Sequence, residues 1–161
     1  MGRKDKLMIK IYTDGSASKK GCGYGIVVLE DGELKFFHSD YCQDSTNNRE
    51  EMKAILDAYN YIDTLPNYSN CTIYSDSAYC VNMMNDWMYK WRELNWHKYD
   101  GKELKNLDLV KQLYACKRAH PTVAICKVSG HTGDYGNEFA DALATNNKTK
   151  QEKYFDKIKN F

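Results

Sequence analysis

Four acidic residues stand at the joints between strand-like and helix-like stretches of this chain, and that placement leaves few folds open to it. Asp14 follows the apolar run Leu7-Met8-Ile9-Lys10-Ile11-Tyr12 and precedes Gly15-Ser16. Asp76 follows Cys71-Thr72-Ile73-Tyr74 and precedes Ser77. Glu51 opens a helical stretch just after Thr46-Asn47-Asn48-Arg49, and Asp141 falls in the first turns of another helix, ten residues after Gly130-His131. Carboxylates at strand ends and helix starts gather on one rim of an open α/β sheet, where ligands bind. Four of them together repel, so the cluster makes sense when cations hold it. Hard divalent ions with oxygen ligands, Mg²⁺ or Mn²⁺, suit such a donor set. The residues alone therefore point to metal-dependent phosphoryl transfer.

The order of elements agrees with an α/β class. Strands are expected over Leu7–Thr13, Gly23–Glu30 and Glu33–Cys42, the last two joined by Asp31-Gly32, a two-residue hairpin signal. Met52, Ile55, Leu56, Tyr59 and Ile62 recur at helical spacing over Asn48–Leu65, before Pro66. A short strand Asn70–Ser75 follows, then a helix over Ser77–Trp96 with a break near Asn85-Asp86. A helix over Asn106–Ala119, a strand over Thr122–Val128 and a helix over Asn137–Thr145 complete the core. The pattern predicts a mixed sheet, an antiparallel meander joined to crossover-connected parallel strands. At 161 residues the chain is one domain, expected over residues 1–147, with a charged amphipathic tail over 148–161.

Composition excludes more than it selects. Twenty-three basic against 22 acidic residues leave a formal charge of +1, so any nucleic-acid contact must come from a local basic face. The six cysteines show neither a C-x-x-C pair nor zinc-ligand spacing, and are read as reduced thiols in a cytosolic protein. Cys22 and Cys42 fall on strands expected to pair. No signal-peptide pattern opens the chain, and no apolar stretch reaches transmembrane length. A soluble, cytoplasmic protein is expected.

The strings Tyr12-Thr13-Asp14-Gly15-Ser16, Thr46-Asn47-Asn48-Arg49-Glu50-Glu51, Tyr74-Ser75-Asp76-Ser77, and Gly130-His131 followed by Asn137-Glu138-Phe139-Ala140-Asp141 resemble type 1 ribonuclease H. Each string alone is uninformative, whereas four in this order are specific. The resemblance spans about Lys10 to Ala144. It implies a ribonuclease H-like fold with a mixed five-stranded sheet, three strands antiparallel and two parallel, flanked by helices. It also implies endonucleolytic cutting of the RNA strand of an RNA–DNA hybrid by two Mg²⁺ ions, with Mn²⁺ able to substitute, leaving 5′-phosphate and 3′-hydroxyl ends. By the resemblance, Asp14, Glu51, Asp76 and Asp141 are the metal ligands. Asp14 bridges both ions and Asp141 holds the ion that activates water. His131 is the mobile histidine that moves protons or speeds product release.

Two adjacent acids compete for one place in the second motif. On a helix of 3.6 residues per turn, Glu51 aligns with Ile55, Ala58 and Ile62, and Glu50 with Lys53, Asp57 and Tyr61. Glu51 is thus expected toward the sheet rim and Glu50 toward solvent.

Substrate contacts are implied at Gly15 and Ser16, where backbone can approach a ribose, at Asn47 and Asn48 in the minor groove, and at Thr46 and Asn106 on a phosphate of the DNA strand. Helix capping is an equally simple role for Thr46 and Asn106. Trp87 and Trp91, with Trp96, Lys90, Arg92 and Lys98, resemble the handle over residues 85–105 that lies along the DNA strand; packing of the handle on the core would also account for them. Arg92-Glu93-Leu94 departs from a strongly basic handle, and Asp44 stands where an arginine is common. The rival readings are a DNA-cutting resolvase or integrase core, a binding module without catalysis, and a ribonuclease H portion of a polymerase. The complete acid set, the polar start and the separate tail favour a standalone, monomeric enzyme.

Overall fold

The computed structural model describes residues 7–128 and 134–159. Its centre is a five-stranded sheet in the order β3-β2-β1-β4-β5, formed by β1 (Ile9–Ser18), β2 (Gly21–Glu30), β3 (Glu33–Cys42), β4 (Cys71–Ser75) and β5 (Ala124–Lys127). β1, β2 and β3 pair antiparallel, whereas β4 and β5 join parallel to β1 and to each other. The mixed sheet is thus the one expected, and β3 has the predicted bounds. β1 differs, running on to Ser18 rather than stopping at Thr13. Gly15 reads as a strand breaker in sequence, but here it stays paired with Tyr24 of β2. The glycine is a place of close approach: a Cβ on it would lie 2.2 Å from the backbone nitrogen of Glu51.

Helices cover both faces. The face bearing Ile9, Ile11, Ile26, Val28 and Ile73 packs on α1 (Asn47–Ile62) and α4 (Leu107–Ala119), with Met52, Ile55, Tyr59 and Leu113 fully buried. The opposite face, through Tyr12 and Val27, packs on α5 (Tyr135–Ala144). The tail forms α6 (Lys148–Lys159), which turns Ile158 and Phe155 onto this second cluster. Phe139 of α5 meets Phe37 of β3 at 5.0 Å and Phe155 at 6.2 Å between ring centroids. Three elements therefore share one aromatic contact.

The stretch expected as a broken helix is a continuous one with a change of winding. α2 (Ala78–Asn82) passes into a π-helical turn, Met83–Trp87, and then into α3 (Met88–Glu93). Wider winding loosens the normal backbone bonding, and side chains make up the difference. Lys117 donates to the Met84 carbonyl at 3.2 Å and to Asn85 Oδ1 at 2.8 Å, while Asn85 donates to the Ile125 carbonyl at 2.9 Å.

Because Phe139 is 1 % exposed and bridges β3, α5 and α6, Phe139→Ala should cost about 3–5 kcal/mol of stability. Urea unfolding checks this, and a loss below about 1 kcal/mol would show that the cluster collapses around the gap.

Candidate active site

The parallel ladder between β1 and β4 ends at the pair Thr13–Ser75, with Thr13 Oγ1 donating to the Tyr74 carbonyl at 2.9 Å. The next residues along the two strands are Asp14 and Asp76, released together at the rim where the strands part. Glu51 arrives from the first turns of α1. One oxygen from each of Asp14, Glu51 and Asp76 lies within 4.8 Å of the others. Asp141, on α5, stands close enough to help raise both the Asp14 carboxyl and Asp76. All four predicted acids thus come to one place, three in a tight group and Asp141 against its flank.

Backbone and hydroxyl donors hold the group. The Gly15 N–H donates to Asp14 Oδ1 at 2.9 Å, and Ser75 Oγ faces Glu51 Oε2 at 3.5 Å while accepting from the Ser77 N–H at 3.1 Å. Asp14 is 4 % exposed and Glu51 7 %. Burial, then Glu51, Asp76 and Asp141, pushes the Asp14 carboxyl far above the usual carboxylate range. Glu51 is raised chiefly by burial, with hydrogen bonds from its neighbours opposing the rise. Asp76, the most open of the three, is raised by desolvation of its carboxyl end and then by Asp141. Clustered hard oxygen donors that resist ionising together fit a divalent cation, which would remove the repulsion.

Glu50 corrects the sequence reading. It was expected to face solvent, yet it is fully buried, with Oε2 2.7 Å from Lys53 Nζ. The polar face of α1 lies against polar side chains of β2 and β3. Lys53 Nζ sits 5.9 Å from the Tyr24 ring, and Asp57 pairs with His38 at 2.8 Å. A helical wheel sorts residues by polarity and cannot see that the sheet offers polar partners.

The residues implied to touch substrate fall into two corners. Asn47 Oδ1 accepts from the Ala17 N–H at 2.7 Å, pinning the start of α1 to the end of β1 beside Gly15 and Ser16; Asn48 follows in the same turn. Thr46 caps α1, accepting from the Arg49 N–H at 3.2 Å. Asn106 precedes α4 in a left-handed conformation, φ 61°, and does not cap it with its side chain. Its Oδ1 instead accepts from Arg49 Nη1 at 3.1 Å, and Arg49 also forks onto Asp108 at 3.1 and 2.9 Å. Arg49 thereby brings Thr46 and Asn106 to one corner.

Trp87 and Trp91 lie 6.1 Å apart, partly buried against the core, and line a shallow recess with Lys98, Tyr99 and Asp100. Trp96 turns the other way, edge-on to Tyr114 at 5.3 Å. Packing and an open aromatic surface are both served. His131 lies outside the described residues. Sequence reasoning gave no role to Arg49 or Ser75, although both sit inside quoted motifs. An arginine within a polar helix start and a serine at a buried strand end were the available signals.

The repulsion has a testable consequence in metal-free protein. The unfolded chain releases the Asp14 proton once pH passes the ordinary value of 3.8, whereas the folded site retains it. The native state then binds more protons than the unfolded one, so stability falls as pH rises from about 4 upward. Asp14→Asn should melt higher than the parent protein at pH 7–8 with chelator present, and the gap should close toward pH 4 and under saturating Mg²⁺. Equal melting temperatures across that range would mean the acids do not strain the fold.

Comparison with known proteins agrees with this architecture. A family profile described as RNase H matches residues 6–149. Ribonuclease H of Caldicellulosiruptor saccharolyticus is 36 % identical over 138 residues, covering 84 % of this chain and 92 % of that protein. Ribonuclease HI of Haemophilus ducreyi is 35 % identical over 149 residues, covering 89 % and 94 %. Among solved structures, LC11-RNase H1 in complex with RNA/DNA hybrid superposes with a TM-score of 0.66 at 22 % identity, covering 89 % of this chain and 99 % of that one. The chain belongs to the ribonuclease H family and is a nuclease.

Proposed function

We propose that this protein is an Mg²⁺-dependent endoribonuclease that hydrolyses the RNA strand of RNA–DNA hybrids, leaving 5′-phosphate and 3′-hydroxyl ends. The observation that carries the reading is the meeting of Asp14, Glu51 and Asp76 within 4.8 Å, with Asp141 against Asp14. Two divalent ions held by these acids would supply Lewis acidity for the attacking water and the leaving oxygen. Mn²⁺, with similar hardness, can replace Mg²⁺.

Asp14, at the centre of the group and fixed by the Gly15 N–H, would be the ligand shared by the two ions. Glu51 and Asp76 would complete the set, and Asp141, set to one side, would hold the ion that activates water. Ser75 keeps the Glu51 carboxylate turned to the rim. His131 is assigned proton transfer or help in product release, for which an imidazole is suited near neutral pH.

The ribose-bearing strand approaches along Gly15 and Ser16, beside Asn47 and Asn48, and its 2′-hydroxyls report RNA there. Thr46 and Asn106, held in one corner by Arg49, take a phosphate of the DNA strand. Trp87 and Trp91 offer flat faces to deoxyribose along the handle. The reading covers residues 1–147 as the catalytic unit, acting as a cytoplasmic monomer. Among the described residues no helix is long and apolar enough to cross a membrane.

Labelled RNA–DNA hybrid, duplex DNA, duplex RNA and single-stranded RNA, each with Mg²⁺ and with chelator, test the assignment. Cutting is expected on the hybrid alone and only with metal. Efficient cutting of duplex DNA would move the protein to the resolvase-like class.

Glu51→Gln and Glu50→Gln should part company in turnover and in stability. Glu51→Gln removes a metal ligand and should lower turnover by at least about 100-fold, as loss of a transition-state charge contact does. Glu50→Gln breaks the buried contact to Lys53, costing on the order of 1–3 kcal/mol, and leaves turnover within a few-fold at a temperature where it stays folded. Paired steady-state kinetics and thermal melts read both effects, and loss of turnover in a folded Glu50→Gln would transfer the ligand role.

A further inference from the structure

Cys22 of β2 and Cys42 of β3 are direct cross-strand partners at the end of the hairpin remote from its Asp31-Gly32 turn. Facing residues of an antiparallel pair hold their Cα atoms roughly 4.5–5.5 Å apart, inside the range of about 4.4–6.8 Å that a disulfide spans. The Cys22 thiol lies close enough to Cys42 to bear on its ionisation. Cys42 is half-buried, which leaves it open to small solutes. Cys42 is the more open of the two, while Cys22 is 6 % exposed. On the helix side, Lys53 Nζ stands 4.0 Å from Cys42 Sγ, within the same group as buried Glu50.

We propose that Cys22 and Cys42 form a dithiol modification site that small hydroperoxides convert to a cross-strand disulfide. The Cys42 thiolate attacks one peroxide oxygen; the S–O bond forms, the O–O bond breaks, and the leaving oxygen departs as water or alcohol after taking a proton. Cys42 is then a sulfenic acid. The Cys22 sulfur attacks it, the S–S bond forms, the S–O bond breaks, and water leaves with the Cys22 proton. The two thiols lose two electrons in total and the peroxide gains them.

Local electrostatics set the pace. Burial, the Cys22 thiol and the Glu50 carboxylate push the Cys42 thiol up, against the Lys53 ammonium, so attack is slower than at an activated cysteine. Selectivity comes from placement. Cys71 and Cys80 are buried thiols pushed up to about 12 by burial, and they supply internal controls. The bond ties the end of β3, four residues before the Thr46 cap of α1, to the strand that pairs with Ser16 and Ala17.

The test is hydrogen peroxide treatment of the whole reduced protein, followed by catalase, alkylation in denaturant and non-reducing peptide mapping. One linkage, Cys22–Cys42, is expected, with Cys71 and Cys80 still alkylated. The oxidised protein should melt higher than the reduced one, and dithiothreitol should reverse the rise. In Cys22→Ser, dimedone should trap a sulfenic acid at Cys42; in Cys42→Ser, peroxide should leave both the thiol of Cys22 and the melting temperature unchanged. Mapping of the unsubstituted protein decides the matter even where a variant folds poorly. Cys22 and Cys42 alkylated as fully as Cys71 and Cys80 after treatment, or Cys42 linked elsewhere, would overturn the proposal.

Discussion

Repulsion among Asp14, Glu51 and Asp76 is the interaction around which this structure is arranged. No carboxylate group of that density forms by hydrophobic folding, because burying each charge opposes the collapse that buries it. The sheet imposes it by rigid geometry. β1 and β4 are locked in register through Thr13 and Ser75, so the two aspartates emerge side by side whether or not their charges agree. The core beneath them, Ile11, Ile73 and Met52, supplies the stability against which that strain is held.

The start of α1 does the rest. Its backbone lies so close to β1 that Gly15 has no room for a side chain, and this closeness brings Glu51 into range of Asp14. Two separate contacts hold it there: Asn47 to Ala17 of β1, and Arg49 to Asn106 and Asp108 at the start of α4. Both also shape the corners assigned to the substrate. Positioning of the acids and shaping of the surface around them therefore depend on the same helical turn.

Much of this was legible in the sequence, for physical reasons that differ from element to element. β3 starts where expected because Asp31-Gly32 fixes the hairpin turn, whereas the register shift at Val28–Leu29 had no signal in the sequence. α1 was visible through its apolar spacing, and the convergence of the four acids through their places beside strands and helices. The extension of β1 was hidden because glycine's meaning depends on what leans against it. Glu50 was misjudged because its pairing with Lys53 is local, whereas the polar side chains of β2–β3 that lie against this face of α1 belong to tertiary structure. The tail was visible as amphipathic, but its seat beside Phe37 and Phe139 depends on residues more than a hundred positions apart.

The π-helical turn at Met83–Trp87 gives the handle a phase of its own. Such a turn holds an extra residue, and one residue is about 100° of rotation on an α-helix. The direction in which Trp91 points is therefore set by that local winding, not by α2 alone. Lys117 of α4 holds the winding through a carbonyl of the turn and through Asn85, which itself reaches a carbonyl of β5. The aromatic surface can thus be re-aimed by a change of one residue in chain length, while the strands that carry the aspartates stay in register.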